Sequence, residues 1–352
     1  MNDRVGELRA WLEPEPAAAF LVTASTNVDY LSGFSSSSAA ALVSETSVHL
    51  FTDGRYAEAV SSVDGVESVI LERNLLGELG RILRDYTPGP VAFEAGRMSV
   101  AEHESLSKSG LELVAAAGVL ETIRAVKDAD ELASIRAAAS VLSGALERVP
   151  QMNPVGRTER ELAWLLERTM REDGGAESLS FPAIVASGAN SARPHHAPSD
   201  RTIAPDEVLL IDAGCVVDGY CSDCTRVYAT GELRHELVEA YAACLEIQER
   251  AVAAVEAGVD TKTLDEEHRE ALVSHGYSVD HSLGHGVGRE IHEEPRLART
   301  ASTVLKSGHV VTIEPGVYLR DLGGIRIEDM VAVTMDGGDI LTPVTKDLVQ
   351  VS

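Results

Sequence analysis

The sequence predicts an α/β protein of two domains, a smaller one over residues 1–124 and a larger one over residues 125–352. Three features predict it. Short apolar strands alternate with helical stretches in the first third, the character changes at Arg124-Ala-Val-Lys-Asp, and the remainder repeats one layout twice. The length of 352 residues exceeds one ordinary domain and suits two.

In chain order, Ala19-Phe-Leu-Val-Thr, Ala40-Ala-Leu-Val-Ser and Val48-His-Leu-Phe-Thr read as buried strands bounded by turn residues. Arg55 to Val63 and Leu75 to Asp85 read as helices. Beyond the boundary, Asp128 or Asp130 is placed to cap a long helix whose apolar face is Leu132, Ile135, Ala139 and Leu142. Each half of the larger domain then begins with two helices, at 129–148 and 158–173, and again at 233–257 and 261–275. Each half ends in strands carrying two acids. The first has Val208-Leu-Leu-Ile-Asp212 and Cys221-Ser-Asp223; the second has Val310-Val-Thr-Ile-Glu314 and Ile325-Arg-Ile-Glu328. A pseudo-twofold built this way brings four carboxylates to one point. Two unrelated β-hairpins would leave the same pattern.

Composition narrows the function classes. Asp and Glu outnumber Lys and Arg by 56 to 30, a formal charge of −26. That balance argues against nucleic acid and anionic membranes, because phosphate binding needs clustered cations. No apolar run approaches the roughly 18 residues of a membrane span, and Met1-Asn-Asp-Arg-Val lacks the layout of a secretory signal. Four cysteines do not make a disulfide scaffold, so a reducing cytoplasm is the expected compartment.

The chemistry sits on the acids. A carboxylate entering a sheet core is costly unless it is paired or binds a cation. Asp212 follows Leu209-Leu-Ile directly, Glu314 follows Val310-Val-Thr-Ile, and Asp223 and Glu328 lie in polar-flanked strands. For each acid alone, a solvated strand end or a salt bridge is the simpler reading. Four carboxylates with one imidazole, by contrast, suit two divalent ions about 3.5–4 Å apart. Gly284-His285-Gly286-Val-Gly288 sets the imidazole between glycines, where backbone can approach an ion or substrate closely. His281-Ser-Leu-Gly-His285 lacks the Glu of a helical HExxH zinc site, so His285 is the expected ligand and His281 and His292 are expected to line the site. Of the adjacent pair His195 and His196, at most one is expected to face it. Cys221-Ser-Asp-Cys224 matches CxxC without a second pair, and reads as small strand residues rather than a zinc or redox site.

The chain resembles the pita-bread metallopeptidases, which include prolidase, aminopeptidase P, methionine aminopeptidase and the metal-free creatinase. The resemblance rests on Ile184-Val-Ala-Ser-Gly188 with Pro194-His195, on Ile211-Asp212-Ala-Gly214, and on Gly219-Tyr220-Cys-Ser-Asp223-Cys-Thr-Arg226. It continues through His281-Ser-Leu-Gly-His285, Ile291-His292-Glu293, Thr312-Ile-Glu314-Pro-Gly-Val-Tyr318 and Gly324-Ile-Arg326-Ile-Glu328-Asp329. Asn27-Val-Asp-Tyr30-Leu-Ser-Gly33-Phe, Phe51-Thr-Asp-Gly54-Arg55-Tyr56 and Arg124-Ala-Val-Lys127 resemble the N-terminal domain of the prolidase, aminopeptidase P and creatinase branch, a domain that methionine aminopeptidases lack.

The resemblance implies a creatinase-like α/β N-terminal domain, then a pita-bread catalytic domain with pseudo-twofold symmetry. It implies hydrolysis of the Xaa-Pro bond in short peptides by a hydroxide shared between two metal ions, in a homodimer. Asp212 would chelate one metal, His285 and Glu314 the other, and Asp223 and Glu328 would bridge them. Glu314 would also accept the proton of the attacking water. His195 and His292 would stabilise the oxyanion and carry a proton to the leaving nitrogen, His281 would shape the proline pocket, and Arg326 would buttress the cage. Arg296 is a candidate for the C-terminal carboxylate of a dipeptide, with an exposed salt bridge as the other reading. Oxygen-rich ligands with one imidazole suit Mn first, then Co or Zn. Two rival functions remain at this stage: a dinuclear hydrolase of a small non-peptide amide or amidine, and a non-catalytic binding protein. An intact cage weighs against the second, since four clustered acids without metal repel one another.

Overall fold

The computed structural model describes residues 2–72 and 75–352. The chain divides into two compact units, Met1–Arg124 and Ala125–Ser352. In the first, α1 (Asn2–Leu12), β1 (Ala19–Val22), α2 (Ser25–Ser32), β2 (Ala39–Ser44), β3 (Val48–Asp53), α3 (Ala57–Val60), β4 (Glu67–Leu71), α4 (Leu75–Tyr86), β5 (Val91–Glu94), α5 (Val100–Lys108) and β6 (Leu113–Ala116) follow in order. The sheet runs β4-β3-β2-β1-β5-β6. Its inner strands β1, β2, β3 and β5 are largely apolar because both faces are covered. Phe20 and Val22 pack with Val5, Leu8, Val28 and Leu31 on one side, while Ala19 and Leu21 pack with Leu79, Leu83 and Leu106 on the other.

The helix expected over Arg55–Val63 is shorter. Asp53 accepts the Arg55 N–H and tightens the start into a 3-10 turn at Gly54–Tyr56. At the far end the Ser61 and Ser62 hydroxyls bond back to Glu58 O and Ala59 O, and α3 stops at Val60. Short polar side chains here take over bonds that the helix would otherwise make.

The second unit follows α6 (Val119–Ala125) with α7 (Ala129–Glu147). Asp128 caps α7 in a reciprocal box: its carboxylate accepts from Glu131 N at 2.8 Å, and Glu131 accepts from Asp128 N at 3.0 Å. Then α8 (Glu159–Arg168) relaxes into a π-helical turn, Thr169–Asp173. The strands that follow are β7 (Ser178–Leu179), β8 (Ile184–Ser187), β9 (Val208–Ala213), the hairpin β10 (Cys215–Val217) and β11 (Tyr220–Cys221), and β12 (Cys224–Ala229). After α9 (His235–Ala253) and α10 (Thr261–Ser274) come β13 (Gly284–Gly286), β14 (Glu293–Leu297), β15 (Val310–Ile313), the hairpin β16 (Gly316–Leu319) and β17 (Gly323–Arg326), and β18 (Asp329–Thr334). β19 (Gly337–Ile340) and β20 (Val349–Gln350) finish the sheets, ordered β20-β12-β9-β8 and β14-β13-β15-β18-β19. Two helices, a strand pair, a hairpin and a returning strand thus occur twice.

One expectation needs correcting. Asp212 lies within β9, but Asp223 and Glu328 do not lie in strands; each is the second residue of a two-residue break. The reason is a change of partner. β11 pairs with β10 and β12 with β9, just as β17 pairs with β16 and β18 with β15. Where the chain leaves one partner for the next it turns, and the acid sits at that turn. Glu314 likewise follows the last residue of β15. Among the described residues, no helix is long and apolar enough to cross a membrane.

Because Asp128, rather than the exposed Asp130, closes the box on α7, Asp128→Ala is expected to lower the unfolding free energy by about 1 kcal/mol. Urea titration should show a smaller loss for Asp130→Ala.

Candidate metal centre

His285, Asp223, Glu314 and Glu328 converge where the two halves meet. Ligand atoms of Asp223, His285 and Glu328 all lie within 4.8 Å of one another. His285 Nε2 is 3.6 Å from Asp223 Oδ2 and 3.5 Å from Glu314 Oε1. The glycines around His285 serve the sheet rather than a ligand: a Cβ on Gly284 would lie 2.0 Å from Thr312 O, and one on Gly286 would lie 2.2 Å from Glu294 O. They let β13 press between its neighbours, and the Thr312 hydroxyl then accepts the His285 N–H at 3.1 Å.

The protonation of the ring follows from its contacts. His285 Nδ1 lies 3.0 Å from Gly286 O, which can only accept, so Nδ1 carries the hydrogen. Burial and the neighbouring His292 push the imidazole down to about 4, so it is neutral at pH 7. Its Nε2 lone pair therefore faces two carboxylate oxygens. Such an arrangement is repulsive when the carboxyls are ionised, unless a cation lies between them.

The acids carry the same signature. Burial raises Asp223 well above the usual carboxylate range, and the charges of Glu328, Asp212 and Glu314 add to it. Glu328 is raised by burial and by Glu314 and Asp212. Glu314 is pushed up to about 8, by burial first, with Arg326 pulling the other way. Asp212 Oδ1 is buried and has no hydrogen-bond partner among the described residues, while its Oδ2 accepts from Arg326 at 2.6 Å. An orphaned oxygen, three strained carboxyls and a lone pair aimed at them make a donor set that fits divalent cations.

Arg326 organises the surroundings. It donates to Asp212, to Thr225 Oγ1 at 3.1 Å, to the Tyr318 hydroxyl at 2.8 Å and to Pro194 O at 3.3 Å. Thr225 passes its own hydrogen to Glu328 at 2.7 Å, so one guanidinium steadies acids from both halves. Tyr318, with Arg326 donating to it, donates to His281 Nε2 at 3.0 Å, since His281 Nδ1 is committed to Ser282 O. His292 stands edge-on to His285 with ring centroids 4.4 Å apart. His195 is exposed, and its proximity helps to lower the pKa of both His281 and His292. His196, next along, is turned the other way and buried on Glu159 at 2.8 Å. Arg296 is exposed on β14, 3.8 Å from Glu294, with its charge felt at His292 and His285. Reasoning from sequence passed over Thr225 and Tyr318 as site residues. Thr225 could have been found as the cross-strand partner of Asp212.

Residues 133–335 match Metallopeptidase family M24, and residues 4–126 match the Creatinase/Prolidase N-terminal domain. The chain belongs to metallopeptidase family M24. Among relatives of this metallopeptidase is an uncharacterized peptidase of Bacillus subtilis, YqhT, 35% identical over 334 residues and covering 94% of both chains. The fold superposes on a structure titled Xaa-Pro dipeptidase from Bacillus anthracis with a TM-score of 0.95 and 32% identity, covering 99% of each chain. It also superposes on an X-Pro aminopeptidase from Thermotoga maritima, with a TM-score of 0.90 and 34% identity, covering 99% of this chain and 100% of that one. The metallopeptidase fold is thus a creatinase-type N-terminal domain followed by a pita-bread domain.

The CxxC cysteines are free and buried; burial pushes the Cys221 thiol up to about 11 and Cys224 higher still. A Cys221→Ser, Cys224→Ser double variant is expected to keep most of its turnover. The carboxyls give a pH dependence. Asp223, Glu314 and Glu328 hold protons in the metal-free fold that the unfolded chain releases near pH 4. Their contribution is therefore favourable below about pH 4 and is lost as pH rises through the raised values, to about 8 for Glu314. Melting temperatures of chelated protein, measured against Mn-loaded protein at each pH, are expected to diverge as the pH is raised across that range. A constant gap would contradict the assignment.

Proposed function

We propose that this chain hydrolyses the peptide bond before proline in short peptides, as an Xaa-Pro dipeptidase or Xaa-Pro aminopeptidase. The observation that carries this is the neutral His285 lone pair facing Asp223 and Glu314, in a chain that superposes over 99% of its length on a protein of each kind. Asp212, Asp223, His285, Glu314 and Glu328 would hold two divalent cations, with Mn first and Co or Zn next by donor chemistry. Bound there, the ions supply Lewis acidity, acidifying water at neutral pH and polarising the scissile carbonyl.

The rest falls to side chains. Glu314 accepts the proton of the attacking water at a carboxylate oxygen. His195 and His292 face the scissile carbonyl and stabilise its developing oxyanion. The prolyl nitrogen leaves as a secondary amine and needs a proton. His292 is suited to relay the proton that Glu314 takes from the water: burial, Arg296 and His195 lower its pKa, so it rests neutral and passes a proton on readily once it accepts one. His281 cannot take that part while both ring nitrogens are engaged, so it and Tyr318 form a wall for the pyrrolidine ring. Arg326 holds Asp212 in place, and Arg296 offers its charge to a substrate carboxylate. The cytoplasmic location and the homodimer are carried over from the family resemblance, and four free cysteines suit a reducing compartment.

The deciding assay is cleavage of Ala-Pro, Ala-Pro-Ala and Ala-Ala, beside small non-peptide amides, with Mn, Co and Zn. Cleavage of a proline peptide in preference to Ala-Ala is expected; failure on every Xaa-Pro bond with Mn or Co present refutes the proposal. Asp223→Asn and Glu328→Gln are each expected to abolish turnover, and full activity in either would remove that residue from the cage.

A further inference from the structure

Glu159, in the first turn of α8, has no part in the cage, yet its carboxylate accepts six hydrogen bonds. Its side chain is fully buried. Oε1 accepts from Ser187 N at 2.8 Å, Ser187 Oγ at 2.9 Å and Asn190 Nδ2 at 2.9 Å. Oε2 accepts from His196 Nε2 at 2.8 Å, Ser199 N at 3.1 Å and Ser199 Oγ at 2.6 Å. Burial alone would raise its pKa, but the bonds from Ser199, Asn190, His196 and Ser187 outweigh it and hold the acid at about 2. Glu159 is thus a permanent anion, and every donor on it comes from the segment 187–199.

That segment carries His195. Its other attachments point to the same residue. Ser191 Oγ accepts from Gly324 N at 2.8 Å, and a Cβ on Gly324 would lie 2.0 Å from Ser191 O, so the turn 188–192 is pressed directly against β17. Arg326 holds Pro194 O at 3.3 Å, one residue before His195. Glu159 holds the imidazole of His196, one residue after it. His195 itself stays exposed, so its place is set by its two neighbours.

We infer that Glu159 is a positioning residue for His195, acting through His196 and the 187–199 segment. This rests on the role proposed above for His195. Any buried carboxylate must be hydrogen-bonded, but drawing every donor from the one segment that carries His195 also fixes the position of that segment. For a histidine at the scissile carbonyl this matters, because a displacement of about 1 Å can cost on the order of 100-fold in rate.

The test is a double-mutant cycle on the Mn-loaded enzyme with the Xaa-Pro peptide it cleaves best. Glu159→Gln turns one oxygen into an amide donor facing the His196 and Ser199 donors. It is expected to lower kcat by about 10- to 100-fold with KM and metal content little changed. It should also quicken hydrogen exchange across residues 187–199. In a His195→Ala background the same substitution should add almost nothing. His196→Gln, which keeps a donor near the position of Nε2, should retain most of the activity that His196→Ala loses, and this pair decides the matter if Glu159→Gln does not fold. Equal losses from Glu159→Gln with and without His195, or equal activities of the two His196 variants, would overturn the inference. Full kcat in His195→Ala would overturn it as well, and would locate the error in the His195 role rather than in the positioning.

Discussion

Four carboxylates share one buried space, and Arg326 is the guanidinium set among them. Burying like charges together is among the costliest arrangements a fold can hold, and it persists only if protons or cations relieve it. The surrounding structure reads as a response to that constraint. Asp212 is steadied on one oxygen by Arg326 and left bare on the other. Glu328 takes the Thr225 hydrogen. The chain breaks its strands where Asp223 and Glu328 must turn inward.

Two half-buried histidines of the site, His281 and His285, share one local device. In each, Nδ1 bonds the carbonyl of the next residue, Ser282 for His281 and Gly286 for His285, which leaves Nε2 as an acceptor with a set direction. For His285 that acceptor points at acids, as a ligand should. For His281 it is taken up by the Tyr318 hydroxyl, so both of its ring nitrogens are engaged. The same backbone bond therefore leaves Nε2 facing acids in one ring and hydrogen-bonded to a hydroxyl in the other, according to what stands opposite.

Much of this was legible in the sequence, and the limits follow from distance along the chain. The strands at Ala19, Ala40 and Val48 were readable because short apolar runs between turn residues are a local pattern, and the long helices because their apolar stripes are periodic. Residues singled out as acid-tipped runs and a glycine-flanked histidine do come together, because one layout occurs twice. What escaped was non-local. Glu159 looks like an ordinary first-turn helix acid, and nothing near it announces donors 28 to 40 residues downstream. Thr225 acquires meaning only through the register that sets it opposite Asp212. The breaks at Asp223 and Glu328 depend on which strand each segment pairs with, and a single segment does not disclose that.

The bonds across the middle of this domain run in both directions. Arg326 of the second half reaches Asp212 and Thr225 of the first, and Thr225 answers to Glu328. Arg226 of the first half meets Asp329 of the second at 2.7 Å, where Gln248 and Lys346 also converge. Separating the halves would strand a buried charge on each side at once. Duplicated architectures often melt piece by piece, but here neither repeat is a viable remnant without the other. Denaturation of this unit should therefore be a single cooperative event, and chemistry and folding share one seam.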